Sequence, residues 1–463
     1  MTHTAARPLL FALAGAATVG LLVSRGAPQA RSGPAGSRAR SRARRVRGPD
    51  CRVVVLGAGF GGLAAASRLA GRPGIHLTLI DVHNHHLFQP LLYQVATAAL
   101  SPGDIASSVR SMFPESPSVK VLMDQVTGVD TDARLVLCGG QAVPYDELII
   151  ATGSQPSYFG HAGWAGLAPS LKTLDDALAL RQHILDVFEQ ASAASPADRT
   201  RLLTFVLIGG GPTGVEMAGS IAELARDALP RDFGLAGAQA TIILVEAGER
   251  ILSAFTPDLS DYAAAALRGM GVQVRTGVSV TAIEPGTVHL GGQAVAAGTV
   301  IWTAGTEATP VAKWLGVTPA HGGRVAVGSD LRIPGHPDVA VIGDAALARD
   351  GGGKPLPGLA PVAKQQGAFV ARTILRRLHG QRAPGAFKYR DYGTLATIGR
   401  NKAVAEFGAM HVTGFPAWIT WAVAHIFFLI GFRNRVLVSA QWAFAYLTHE
   451  RGDRLLIGHK ASP

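Results

Sequence analysis

The chain's 463 residues exceed what one hydrophobic core holds, so two or three domains are expected. Only 16% of residues are charged and 56 are glycine, which with a positive mean hydropathy excludes a disordered chain and points to a folded protein with some membrane affinity. The net charge of +11 suggests nucleic acid at first sight, but residues 1–50 hold nine arginines and one acid and account for +8 of it. The remaining 413 residues carry +3, and nucleic-acid binding is set aside.

In chain order, the first feature is an apolar run of 15 residues, 9–23, followed by arginines spread over 25–47. Its length suits a signal-peptide core, while the heavier positive charge behind it would hold the body on the cytoplasmic side. The run is short for a span, so a short anchor and a cleaved or misassigned leader both stay open. Residues 1–50 are therefore set apart as an apolar run with an arginine-rich linker. The two cysteines, Cys51 and Cys138, form no CxxC pair and no spacing suited to a metal, and read as small buried residues of a reducing compartment.

Residues 52–56 (RVVVL) read as a buried parallel strand, followed by Gly57-Ala58-Gly59-Phe60-Gly61-Gly62 and a helical stretch over 63–70. Gly57 permits the tight turn, Gly59 lets backbone approach a pyrophosphate, and Gly62 lets helix and strand pack closely. A second strand, 76–80, ends in Asp81, 24 residues after Gly57, where a carboxylate suits ribose hydroxyls. Residues 145–153 (YDELIIATG) form a strand running into the Thr152-Gly153 turn, where backbone must pass a cofactor.

The pattern recurs 152 residues on: 204–208 lead into Gly209-Gly210-Gly211-Pro212-Thr213-Gly214 and a helical stretch over 215–225. The next strand, 241–245, ends in Glu246, whose carboxylate accepts a free ribose 2′-hydroxyl and repels a 2′-phosphate, favouring NADH over NADPH. For Asp81 and Glu246 alike the plain alternative is an ordinary strand-end carboxylate. Residues 301–306 (IWTAGT, with Gly305) echo the earlier turn, and 339–345 (VAVIGDA) end in Gly343-Asp344, a carboxylate placed for a flavin ribityl hydroxyl. Two dinucleotide folds imply two dinucleotides, and an electron-transfer enzyme uses a flavin beside a nicotinamide.

Residues 416–432 (PAWITWAVAHIFFLIGF) are apolar and aromatic. Trp418, Trp421 and Trp442 put half of the six tryptophans within 25 residues, and Arg433 and Arg435 follow directly. That combination suits a helix lying in a membrane interface. At 17 residues, with His425 midway, it is a poor span, so monotopic attachment is expected, with a span or a buried dimer interface as alternatives. His425 reads as a packed or interfacial residue rather than a proton carrier.

The expected architecture is α/β, with two Rossmann-type dinucleotide-binding domains and a C-terminal membrane-associating α-helical region. The NADH-binding domain (171–320) is inserted in the FAD-binding domain (51–170 and 321–380), and 381–463 form a membrane-association or dimer region.

In this order the motifs resemble the two-dinucleotide-fold flavoprotein reductases, and narrower segments are similar to the type II NADH:quinone oxidoreductases over about residues 51–459. The most specific are 84–97 (NHHLFQPLLYQVAT), 100–105, Gly214-Val215-Glu216, 356–367 and 396–400. The resemblance implies FAD and NADH as cofactors, hydride transfer from NADH to FAD, and two-electron reduction of a membrane quinone without proton pumping, at the cytoplasmic face of a bacterial inner membrane. It places Gln89 and Pro90 along the flavin, Glu216 near the nicotinamide, and Lys364, Gln365 and Gln366 where quinone approaches the flavin. Where family members carry Ala-Gln-x-Ala-x-Gln-Gln, this chain has Ala360-Pro361-Val362-Ala363-Lys364-Gln365-Gln366. Pro361 offers neither donor nor side-chain acceptor, so Lys364 or Gln365 is expected to serve instead. With no cysteine in the helix after Gln89, disulfide, peroxide and sulfide:quinone reductases are set aside. A soluble carrier-protein (ferredoxin or rubredoxin) reductase and a non-enzymatic NADH-sensing flavoprotein remain as alternatives.

Overall fold

The computed structural model describes residues 50–456, apart from 115, 236–239, 449 and 450. The apolar run at 9–23 and its arginines lie outside the described residues.

The strand Cys51–Leu56 forms the middle of a six-stranded sheet, pairing in parallel with Ile75–Asp81 on one side and Glu147–Ile150 on the other. Val119–Met123 extends one edge and His336–Val341 the other, both parallel, with Arg332–Ile333 antiparallel at the end. Val53 through Leu56 are fully buried because helices and a second layer cover both faces, as a continuous apolar run in a parallel sheet requires. The helix Phe60–Leu69 crosses the helix Ala360–Leu378 so closely that a Cβ on Gly367 would lie 2.1 Å from the Gly61 carbonyl oxygen.

The second sheet repeats the plan. Thr204–Ile208 lies between Thr241–Glu246 and Thr299–Trp302, with Val272–Thr276 at the edge, all parallel. The duplication reaches beyond the glycine motifs: in each half a three-stranded antiparallel meander precedes the strand that returns beside the first. That return pairs Val53 with Glu147 and Phe205 with Thr299, both 94 residues apart. Ser154–Pro156 and Thr306–Ala308 pair antiparallel, and at this ribbon the chain enters and leaves the inserted unit.

Both glycine helices start earlier than their apolar periodicity suggests, at Phe60 and Pro212 rather than 63 and 215, and the second runs to Asp232. First-turn N–H groups have no intrahelical partner, so glycine and proline, poor in a helix interior, cost little there.

A three-stranded antiparallel sheet, Thr394–Gly399, Lys402–Phe407 and Met410–Thr413, packs on the second glycine helix; a Cβ on Gly219 would lie 1.7 Å from the Ile398 carbonyl oxygen. The apolar stretch at 416–432 becomes the helix Gly414–Phe428, and a second helix, Phe432–Thr448, folds back beside it after the turn at Gly431. No helix among the described residues is long and apolar enough to cross a membrane. The hairpin's outer face shows Phe427, Phe432 (82% exposed), Val436, Phe444 and Leu447 (62%) to solvent. Trp421, expected at an interface, is instead buried, with its ring stacked 5.2 Å from that of Trp442.

Candidate active site between the two nucleotide folds

A cleft of about 1560 Å³ runs between the two folds and ends against the helical hairpin. Gly57, at φ +96°, faces the Ala151 carbonyl oxygen, which a Cβ would meet at 2.4 Å; Gly62 lies against Gly57, whose oxygen a Cβ would meet at 1.8 Å. Gly59 has nothing within 4 Å of its Cβ direction and opens onto the cleft. In the second fold Gly209, at φ +111°, meets Ala304, Gly214 meets the Gly209 oxygen at 1.9 Å, and Gly211 is open. Neither helix carries a side-chain cap at Gly59 or Gly211, which leaves first-turn N–H groups for an anion. These open cradles fit a dinucleotide phosphate at each turn.

The strand-end carboxylates do a job the sequence did not disclose. Asp81 Oδ2 accepts from the Ala58 N–H at 2.6 Å, and Glu246 Oε2 accepts from the Gly210 N–H at 2.7 Å. Each acid braces its own glycine turn, and Asp81 also lines the cleft.

Of the residues singled out in the sequence, Gly57, Gly59, Asp81, Gln89, Pro90, Thr152, Gly153, Asp344, Glu216, Lys364 and Gln365 share the cleft wall. Gly62 packs behind it, and Gly209, Gly211, Gly214 and Glu246 build the second turn, whose helix reaches the cleft through Pro212, Thr213 and Glu216. Gly305 sits apart from the wall, at φ +69° beneath the Phe159 ring, which a Cβ would meet at 2.4 Å. Gln366 is buried, and its Oε1 accepts from the Gly343 N–H at 2.7 Å, fixing the turn that presents Asp344. Gln365, expected to reach quinone, spends its amide on the Arg390 backbone: Nε2 donates to the carbonyl at 2.8 Å and Oε1 accepts from the N–H at 2.9 Å. Pro361 occupies the first turn of its helix, where its missing N–H breaks no hydrogen bond.

Glu216 is set deep in the wall. Burial lifts its carboxyl from 4.5 to about 8, opposed only weakly by the Thr397 N–H at 3.5 Å. Lys364 stands with Nζ 4.9 Å from the centre of the Phe428 ring, joining the cleft to the hairpin; burial, then Arg435 and Arg68, lower its pKa. Burial pushes His425 down to about 4, and its Nδ1 bonds the Trp421 carbonyl at 2.7 Å, so the ring is neutral and packed, as a residue of the hairpin core should be.

Sequence reasoning missed two features, one in the wall and one at the hairpin. Lys172 reaches the cleft from the segment before the helix Leu174–Ala193. Trp442 Nε1 donates to Gln94 Oε1 at 2.8 Å and Gln94 Nε2 donates to the Tyr93 hydroxyl at 2.8 Å, tying the hairpin to the 84–97 segment. Only a lysine beside a cleft-forming turn, and polar residues inside an apolar stretch, signal them in the sequence.

The family model for pyridine nucleotide-disulphide oxidoreductases matches residues 51–367, and that for the NDH2 C-terminal domain matches 392–449. The chain is 40% identical over 433 residues to the type II NADH:quinone oxidoreductase Ndh of Mycobacterium tuberculosis, covering 89% of this chain and 91% of that protein. It is 31% identical over 377 residues to a type II NADH:quinone oxidoreductase of Staphylococcus haemolyticus, covering 79% and 92%. NDH2 from Plasmodium falciparum, solved in complex with NADH, shares the fold with a TM-score of 0.79 over 87% of this chain and 99% of that one, at 21% identity. Carrying both the reductase core and the NDH2 C-terminal domain on one chain, and related to these enzymes over nearly its full length, the protein belongs to the type II NADH:quinone oxidoreductases.

Proposed function

We infer that the chain is an FAD-dependent NADH:quinone oxidoreductase that transfers a hydride from NADH to FAD and returns two electrons to quinone without pumping protons. The observation that carries this reading is one cleft with a dinucleotide turn on each side and an apolar hairpin at its end. FAD, when bound, supplies the chemistry that accepts a hydride and yields electrons in pairs.

The protein's part is to hold, orient and protonate. FAD is held by Gly57, Gly59, Asp81, the Gln89-Pro90 loop, Thr152-Gly153 and Asp344, the last fixed through Gln366. NADH is held by Gly209, Gly211 and Gly214, with Glu246 selecting a free 2′-hydroxyl. Glu216 keeps a proton on its carboxyl at neutral pH and faces the cleft, a group able to deliver that proton to a reacting oxygen. Lys364, on the hairpin side, is the cationic donor open to quinone, whereas Gln365 has its oxygen and one N–H engaged by Arg390 and Pro361 has no donor. The enzyme is membrane-associated, and we assign its attachment to the exposed hairpin face, lying in the interface of the cytoplasmic leaflet, with Arg433 and Arg435 at its edge. A soluble carrier-protein reductase has no use for that face.

Steady-state NADH oxidation by the FAD-loaded chain with a short-chain ubiquinone or menaquinone analogue tests the reading, with NADPH and a ferredoxin as controls. Fast, NADH-specific quinone turnover is expected; a flavin that NADH reduces but quinone does not reoxidise would overturn it.

A further inference from the structure

Lys172 is a half-buried cation on a rigid mount. Its backbone N–H donates to Asp176 Oδ2 at 2.9 Å and its carbonyl accepts from Gln89 Nε2 at 3.1 Å, so the main chain is fixed from both sides. The ammonium carries three donors, of which one is bonded among the described residues, to Ser154 Oγ at 3.0 Å. It makes no ion pair among those residues; the nearby Asp344 is held one step away, accepting from that same Ser154 hydroxyl at 2.9 Å. Burial lowers its pKa, with Asp344 opposing. A half-buried ammonium in the wall of a cleft, with one of its three donors bonded among the described residues, is placed to take an acceptor from a ligand there.

We propose that Lys172 is the charge-compensating residue of the flavin site, hydrogen-bonding the flavin ring and offsetting the negative charge that the ring gains on reduction. This rests on FAD being the group in the first fold. A hydride brings two electrons and one proton, so the ring holds one extra negative charge until a second proton follows. Position favours the ring over the pyrophosphate, which the open turn at Gly59 and the helix N-terminus already accommodate. Lys172 instead abuts the Thr152–Ser154 turn of the first fold, reaching it from the segment that follows Ser170, which is bridged to Trp302 of the second sheet. The two folds, and so the two reacting rings, come together there.

The test compares the FAD-loaded full chain with Lys172→Met, Lys172→Gln and Lys172→Arg, reading the flavin midpoint potential by visible absorbance against a reference dye and FAD retention on gel filtration. Lys172→Met and Lys172→Gln are expected to shift the oxidised-to-reduced ratio at least tenfold toward oxidised, ~30 mV for a two-electron couple. Lys172→Arg restores most of it, and FAD is retained throughout. An unchanged potential with FAD retained overturns the proposal, and FAD loss without a change in potential reassigns Lys172 to the phosphates and overturns it too. Should either neutral variant fail to fold, the other carries the reading. A wild-type chain that takes up no FAD refutes the underlying function instead.

Discussion

Replacing Glu216 by glutamine removes one titration and leaves the shape. In the native protein the carboxyl is raised from 4.5 to about 8, so the folded state holds a proton that the unfolded chain has given up between those values. Stability from this group is fully present below pH 4.5, falls as pH rises, and is lost once pH passes about 8. At ~1.4 kcal/mol per pH unit the whole span amounts to on the order of 5 kcal/mol. Urea unfolding of wild type and Glu216→Gln at intervals from pH 5 to 9 should therefore show the variant gaining stability relative to wild type as pH rises. Quinone turnover followed over the same range should fall above pH 8 in wild type. In the variant it should be lower by about 10²-fold or more and lack that fall, since an amide carries no transferable proton. A stability difference independent of pH, or a variant turning over within threefold of wild type, refutes the argument that this carboxyl is neutral and working.

The two glycine turns should fail separately. Gly62→Ala drives a methyl into the Gly57 carbonyl and should abolish FAD retention, whereas Gly214→Ala, against the Gly209 carbonyl, should raise the KM for NADH at least tenfold with the flavin spectrum intact. Glu246→Gln removes the charge that repels a 2′-phosphate while keeping one acceptor for the Gly210 N–H; the ratio of kcat/KM for NADPH over NADH should rise on the order of tenfold. Phe432→Glu with Leu447→Glu should abolish cosedimentation with anionic lipid vesicles and spare turnover of a water-soluble quinone. Unchanged vesicle binding would move the lipid contact elsewhere, and a change of oligomeric state would make the face a dimer surface.

The parts of the fold legible in the sequence are those where a residue type answers a local backbone demand. Gly57, Gly59 and Gly62 each have one reason to be glycine, and the same three reasons return at Gly209, Gly211 and Gly214. The long apolar strands announce burial on both faces in the same way. What stayed hidden depends on partners distant in the chain. Nothing near Gln365 says that its amide will be taken by Arg390, 25 residues on, and nothing near Lys172 says that Ser154 and the Gln89 loop will hold it at the cleft. The hairpin shows the limit from another side: its first helix is visible as an apolar run, but which tryptophan faces inward depends on a second helix, Phe432–Thr448, whose mixed composition gives little warning of it.

Past the hairpin, the chain turns back onto the nucleotide-binding half. Arg451 donates to the Thr97 carbonyl and the Ser220 hydroxyl and pairs with Glu223, Arg181 pairs with Asp453, and Arg454 pairs with Asp232. Glu223 and Asp232 belong to the helix that begins at the second glycine turn. The hairpin with its exposed apolar face and the second dinucleotide fold are thus closed into a loop by charge. A ligand that binds only the folded form of one half therefore protects both against unfolding, in proportion to the logarithm of its concentration over its Kd.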